Sequence, residues 1–167
     1  MSDFLFKKEV DIYDPNVSGL VEFEAERQAR RLIMIPSESI APKAVRDLLA
    51  SPFANIYAEG YPRPETRYQD EDTLMDYAYQ LGRYRRHSDP RYYKGVEYVD
   101  MLESLARRRA AELFAANDLN ADDLWVNVQP LSGAPANTAV YTALIQPGDA
   151  ILGMDLLVGG HLTHGSP

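Results

Sequence analysis

Residues 124–158 change from one hydrophobic period to another, and this change constrains the fold more than any other part of the chain. The segment LWVNVQP alternates as a β-strand does, SGAPANTAVYTALI begins with small residues and continues as an apolar helix, and ILGMDLLV is a second strand candidate. A strand, a helix and a second strand in this order form a βαβ unit, which predicts an α/β fold. Because two strands do not form a stable sheet alone, we expect more strands in the same sheet.

The residues before this unit predict helices. Apolar positions recur at helical spacing in residues 14–32, and residues 41–52 have a proline near their start and another at their end. Residues 70–86 open with acids and close with bases, which is the charge order that suits a helix dipole. Residues 95–115 predict a helix with Arg107 to Arg109 largely outside an apolar face. The expected members of that face are Val96, Val99, Leu102, Leu105, Ala106, Ala110, Leu113 and Phe114.

The composition excludes several classes of protein. The formal net charge is −8 and the isoelectric point is about 4.8, so the chain lacks the clustered lysine and arginine that bind nucleic acid. The absence of cysteine excludes disulfides and thiolate metal sites. The sequence begins without a signal-peptide pattern, and no stretch approaches the roughly 20 apolar residues of a membrane span. We therefore expect a cytoplasmic protein with no nucleic-acid or membrane partner.

Ser132, Gly133 and Ala134 lie between the first predicted strand and the helix that follows it. Free backbone N–H groups and the positive end of a helix dipole at this position would bind a phosphate group. The alternative is that Ser132 only caps the helix, because serine is favoured at the first position of any helix.

His161 and His164 form an HxxH pair after the second predicted strand. Such a pair can bind a metal, but a metal site needs a third ligand, and the glycines on both sides indicate a loop. The other interpretations are a histidine at the mouth of an α/β sheet, where ligands bind, and a solvated or core histidine. We expect no metal site.

Glu59 lies between two tyrosines in the turn-rich segment NIYAEGYP. The rings could partly desolvate its carboxylate and make it a proton-transfer group near neutral pH, whereas a lone acid in a turn is more often solvated. Ser37 in IPSES has two interpretations, a helix cap or a ligand contact. Tyr93 belongs to a tyrosine pair that could pack on the core from a loop.

Five segments resemble, in sequence and in order, the N-terminal part of the serine hydroxymethyltransferase family. They are IPSES, NIYAEGYP, RYYKGVEYVDMLE, VNVQPLSGAPANTAVYTALIQPGD and GMDLLVGGHLTHGSP. The resemblance extends from about residue 32 to residue 167, and YAEGYP and GGHLTHGSP are specific to this family. It implies a pyridoxal 5′-phosphate enzyme of fold type I, the aminotransferase-like architecture. Its reaction would interconvert serine and tetrahydrofolate with glycine and 5,10-methylenetetrahydrofolate, in a homodimer or homotetramer whose subunits share active sites.

The resemblance assigns cofactor contacts to five of the candidate residues. Ser132, Gly133 and Ala134 would form the cradle of the cofactor phosphate. His161 would stack on the pyridine ring and hold the plane against which the substrate bond is aligned. Tyr57 would reach the phosphate of the neighbouring subunit's cofactor.

The resemblance also assigns substrate contacts. Glu59 and Tyr93 would enter the neighbouring subunit's site, with Glu59 as the acid–base group for serine cleavage and folate-dependent hydroxymethyl transfer. Ser37 would contact the substrate carboxylate. The wall around the pterin of tetrahydrofolate would consist of Leu156, Gly160 and Leu162.

Three features depart from the family pattern. Ala134 replaces a common second serine of the phosphate loop, and the lost charge-assisted hydrogen bond, worth roughly 1.5–3 kcal/mol, would weaken cofactor binding without abolishing it. Residues 63–90 form an insertion between YAEGYP and RYYKG. The Schiff-base lysine, the aspartate that pairs with the pyridine nitrogen and the arginine that binds the substrate carboxylate match no position in the sequence. We therefore expect the 167 residues alone to be an inactive N-terminal fragment.

The expected organisation has three parts: an N-terminal helical arm and interface segment at residues 1–62, a helical insertion at 63–90, and the truncated start of the cofactor-binding large domain at 91–167. Three other hypotheses remain open. The chain could belong to another fold type I enzyme such as a threonine aldolase, although the folate-side residues of YAEGYP and LLVGGHLTHG argue against it. It could be a non-catalytic dimerisation partner of full-length subunits, or an HxxH metal-binding module.

Overall fold

The computed structural model describes residues 10–88 and 90–164, which form two compact units that meet in sequence at residues 54 and 55. The α-helices of these residues are α1 (Val10–Tyr13), α2 (Pro15–Arg30), α3 (Lys43–Leu49), α4 (Glu71–Leu74), α5 (Tyr77–His87), α6 (Glu97–Phe114) and α7 (Gly133–Leu144). Short 3₁₀ turns are found at Pro52–Asn55, Pro64–Tyr68, Ala121–Asp123, Leu156–Val158 and Leu162–His164. Residues 165–167 of the GGHLTHGSP segment lie outside the described residues.

The first unit is built around α2. The Asp14 carboxylate caps this helix by accepting a hydrogen bond of 3.1 Å from the backbone N–H of Val17, and Pro15 occupies its first turn. An open groove of about 550 Å³ lies along the apolar side of α2, where Leu20 and Val21 remain exposed. The first helix predicted from the sequence is therefore confirmed.

The second unit has its core on α6. Its buried apolar side chains are Leu74, Val96, Met101 and Ala111, and its buried polar side chains are Thr66, Gln80, Arg91, Glu103 and Ser104. Residues 63–88 supply Leu74, Thr66 and Gln80 to this core, where the Ser104 hydroxyl donates to the Thr66 hydroxyl at 3.0 Å. The predicted insertion therefore packs against α6 through both apolar and hydrogen-bonded contacts.

The predicted helix over residues 70–86 is two helices. Asp70 caps α4 by accepting from Thr73 N at 2.8 Å, and Asp76 caps α5 by accepting from Tyr79 N at 3.0 Å. The first helix ends after one turn, and Asp76, a second capping aspartate within the predicted helix, starts a new one.

The two predicted strands are wrong for the part of the chain that the structure describes. LWVNVQP and ILGMDLLV form no β-ladder there, and only α7 of the expected βαβ unit is present. A strand is stable only when a neighbouring strand satisfies its backbone groups, and these two segments do not pair with each other. The described part of the chain is helical, so the predicted α/β class is not observed within it.

Candidate functional site

Arg91 is the centre of a buried polar network that holds the segment containing Glu59. Its Nη1 donates to the carbonyl oxygens of Ala58 at 2.6 Å and Gly60 at 3.0 Å, and the residue is 2% exposed. These two bonds fix the backbone on both sides of Glu59. Gly60 has a φ of +101°, and a Cβ there would lie 3.1 Å from Arg91 Cα, so only glycine fits this close approach without strain.

Two acids on α6 hold the Arg91 guanidinium. Its Nε donates to Asp100 Oδ1 at 2.5 Å and its Nη2 to Glu103 Oε2 at 2.6 Å. Burial alone would lower the pKa of Arg91, but the hydrogen bonds to Asp100 and Glu103 outweigh it and raise that pKa above its ordinary value. Gln129 completes the network by donating to Glu103 Oε1 at 2.9 Å and to the Gly60 carbonyl at 2.7 Å. The arginine therefore stays charged and fixed.

Tyr57, Glu59 and Tyr93 are brought together at this network. The rings of Tyr57 and Tyr93 have centroids 5.3 Å apart and are tilted by 30°. The Tyr92 N–H donates to the Glu59 carbonyl at 3.2 Å, so the two loops are joined through their backbones. All three predicted side chains are exposed, so the Glu59 carboxylate is solvated in this chain and the tyrosine rings do not desolvate it.

The N-terminus of α7 contains Ser132, Gly133 and Ala134. The Ser132 side chain forms no capping hydrogen bond, so a simple serine cap is not what the structure has. All three residues are exposed, and nothing lies within 4 Å of a Cβ built on Gly133. An open helix N-terminus with uncapped N–H groups can bind an anion such as a phosphate.

His161 is linked to α7 by two hydrogen bonds. The Asn137 side chain, on the second turn of α7, donates to Thr163 Oγ1 at 2.7 Å, and that hydroxyl lies 2.7 Å from His161 Nδ1. The backbone N–H of Thr163 also donates to Nδ1, at 3.2 Å. The predicted ring-stacking histidine is therefore oriented by the helix that carries the predicted phosphate cradle.

The structure also locates the four remaining predicted site residues. Leu156 and Leu162 are exposed in 3₁₀ turns, and Gly160 lies where a Cβ would meet the backbone of Met154. Ser37 belongs to an exposed turn of the first unit.

No group of three histidine, cysteine, aspartate or glutamate residues with metal-site geometry is found in residues 10–88 and 90–164. No helix within those ranges has the length and apolarity to cross a membrane.

Comparison with known proteins decides the family. The family model for serine hydroxymethyltransferase matches residues 10–89 and 86–167. The chain belongs to the serine hydroxymethyltransferase family. The two matched segments overlap at residues 86–89, near the end of the predicted insertion.

Named relatives agree with this assignment. A serine hydroxymethyltransferase of Sulfurovum sp. (strain NBC37-1) is 44% identical over 157 residues, which are 94% of this chain and 30% of the relative. One of Prochlorococcus marinus (strain NATL1A) is 44% identical over 154 residues, 92% of this chain and 29% of the relative. One of Kocuria rhizophila is 43% identical over 165 residues, 99% of this chain and 31% of the relative. The chain thus spans about 30% of the length of these serine hydroxymethyltransferases.

Sequence reasoning missed Arg91 and Gln129, which hold the Glu59 loop of this family member. Arginine and glutamine are usually exposed, so nothing in their identity indicated burial. The available signal was Gly60, because a glycine in a loop often marks a close approach of another part of the chain.

Proposed function

We propose that this chain forms the N-terminal part of a pyridoxal 5′-phosphate-dependent enzyme of fold type I, and that the enzyme transfers the hydroxymethyl group of serine to tetrahydrofolate. The products would be glycine and 5,10-methylenetetrahydrofolate. The observation that carries this proposal is the loop of Tyr57 and Glu59. Arg91 fixes the backbone of this loop by hydrogen bonds, while both side chains stay exposed. A fixed backbone with an accessible carboxylate suits a group that exchanges protons with a bound substrate.

The residues present fit the cofactor. The uncapped α7 N-terminus at Ser132, Gly133 and Ala134 would hold its phosphate through backbone N–H groups, even though Ala134 offers no hydroxyl. His161, oriented through Thr163, would lie against the ring. When bound, pyridoxal 5′-phosphate withdraws electrons from the α-carbon of an amino acid and so eases cleavage of its bonds.

The residues around the substrate would have separate roles in proton transfer and in binding. Glu59 would hold or release the proton that serine cleavage requires, and Tyr93 would orient the substrate beside it. Ser37 would bind the substrate carboxylate, and Leu156, Gly160 and Leu162 would contact the pterin. We further propose a cytoplasmic homodimer or homotetramer, in which Tyr57, Glu59 and Tyr93 complete the site of a neighbouring subunit.

The proposal is tested on the complete protein that contains these residues. Glycine formation from serine should require added tetrahydrofolate, and Glu59→Gln should lower its kcat by roughly 10²- to 10⁴-fold, the range for loss of a general acid–base group. Glu22→Gln, which changes an exposed carboxylate on α2, is the matched control and should keep the parental rate. Folate-independent glycine formation, or a Glu59→Gln enzyme of parental rate, would refute the proposed function.

A further inference from the structure

The side chain of Tyr84, on helix α5 of the predicted insertion, contacts the loop that carries Tyr93. Its hydroxyl oxygen accepts a hydrogen bond of 2.9 Å from the backbone N–H of Gly95. Gly95 has a φ of +82°, a left-handed conformation that ends the loop of residues 91–95 just before α6. The bond therefore holds the loop at the residue where its backbone turns.

The helix that presents Tyr84 is itself rigidly supported. Gln80, one turn earlier on α5, is 6% exposed. Its Nε2 donates to Gln69 Oε1 and to the Thr73 carbonyl, both at 2.9 Å, and its Oε1 accepts from Arg63 Nη2 at 2.9 Å. A side chain bonded in this way to three parts of one segment fixes α5 within residues 63–88.

The same segment is packed against the start of α6. Leu74, Tyr84 and Met101 line one small space of about 20 Å³, which is only large enough for a water molecule. Leu74 and Met101 are 0% and 6% exposed. The support for Tyr84 thus extends from the predicted insertion to the helix that follows the 91–95 loop.

The 91–95 loop is then held at both ends. Arg91 anchors its beginning, and Tyr84 holds its end at Gly95. Tyr93 lies between these two points and places its ring 5.3 Å from the ring of Tyr57. Release of either end would give the loop, and with it the Tyr93 ring, more freedom to move.

We propose that Tyr84 is a positioning residue, through which the predicted insertion orients the 91–95 loop and the stack of Tyr93 on Tyr57. The meaning of this orientation for substrate binding rests on the proposed function, because Tyr93 is there a substrate contact. The orientation itself is a property of the 167-residue chain and is measured on that chain.

The test compares Tyr84→Phe with Tyr79→Phe in the 167-residue chain. Tyr84→Phe removes only the hydroxyl that holds Gly95. Tyr79 lies on the same helix and is 42% exposed, so its variant is a matched control for the loss of one phenol. The measurement is amide hydrogen exchange by NMR at Gly95, together with the ring resonances of Tyr93.

In Tyr84→Phe we expect exchange at Gly95 to be about two- to tenfold faster, the factor for loss of one ordinary hydrogen bond, and the Tyr93 ring signals to shift. The Asp100 amide, bonded to the Val96 carbonyl at 2.9 Å within α6, should exchange at its parental rate. Unchanged exchange at Gly95, the same change in Tyr79→Phe, or faster exchange throughout α6 would overturn the positioning role. Inactivity of the complete protein toward serine would refute only the proposed function, since the exchange result does not depend on catalysis.

Discussion

Arg91 Nη2 donates a hydrogen bond of 2.6 Å to Glu103 Oε2, and both side chains are buried, so this ion pair, together with that of Arg91 and Asp100, joins the Glu59 loop to helix α6. Buried charges of this kind are costly to leave unpaired, because the protein interior solvates an isolated charge poorly. We therefore expect these ion pairs to contribute both to the stability of the second unit and to the geometry of its exposed loop.

Replacement of Arg91 should be strongly destabilising. Arg91→Met removes the cation that balances the buried Glu103 and half-buried Asp100 carboxylates, and we expect the free energy of unfolding to fall by about 3–5 kcal/mol. Arg109→Met removes an exposed arginine whose pair with Glu71 is on the surface, and it should cost less than about 1 kcal/mol. Urea denaturation measures both values. Similar losses in the two variants would show that burial of the Arg91 network contributes little.

Replacement of two different glycines by alanine should change the free energy of unfolding in opposite directions. Gly60→Ala forces a left-handed residue against Arg91 and should destabilise the chain by about 1–3 kcal/mol. Gly82 lies inside α5 with nothing within 4 Å of a Cβ, so Gly82→Ala should stabilise by roughly 0.5–1 kcal/mol. Thermal unfolding of both variants checks this contrast. Equal shifts of the two melting temperatures would contradict the close approach of Gly60 and Arg91.

The contact between α4 and α6 should weaken in acid. The hydrogen bond from Arg109 lowers the pKa of Glu71 below its ordinary value of 4.5. A carboxylate with a lowered folded-state pKa stabilises the fold fully above about pH 4.5, and this contribution is lost as the pH falls toward the folded-state pKa. Glu71→Gln should therefore unfold at a lower urea concentration than the parent at pH 6, and the difference should shrink below pH 4.5. A difference that is constant from pH 6 to pH 3 would contradict this prediction.

Arg67 should determine the fluorescence of the chain. Its guanidinium carbon lies 3.8 Å above the ring of Trp125, the single tryptophan, and the side chain also donates to the carbonyls of Asp122 and Leu124. Arg67→Ala uncovers one face of a ring that is already 78% exposed, so we expect a small red shift of the emission maximum and a loss of about 0.5–1 kcal/mol of stability. Arg83→Ala, on the same predicted insertion, should leave the emission maximum in place. An Arg67→Ala spectrum that matches the parent would contradict the stacking contact.

The sequence predicts the helices better than their buried faces. The apolar period locates α6, but Leu113 and Phe114 of its predicted face are 79% and 72% exposed, whereas Glu103 and Ser104 are buried. A helical period shows which residues lie on the same face of a helix. The neighbouring segments decide which face is covered, and here the covered face is mixed, with Met101 and Ala111 beside Glu103 and Ser104.

The site residues named from the sequence stay predictions, and the structure adds the buried side chains that hold their loops. The Tyr57 and Tyr93 rings are in contact and the Tyr92 N–H bonds the Glu59 carbonyl, whereas the motifs lie too far apart in sequence to show this proximity. The link from Asn137 through Thr163 to His161 likewise joins two predicted regions. The sequence pattern could not show whether the two predicted strands form, because alternating side chains do not supply the partner strand that a β-ladder requires. Arg91 has a spacing of nine from Asp100 and twelve from Glu103, and only folding brings the three together.

The hydrogen bonds at His161 also determine where its ring carries a proton. A backbone N–H can only donate, so the Thr163 amide identifies Nδ1 as the nitrogen with the lone pair. The neutral imidazole is therefore the Nε2–H tautomer, and its outer edge offers a hydrogen-bond donor. Any group that meets this edge in the plane of the ring must bring a hydrogen-bond acceptor.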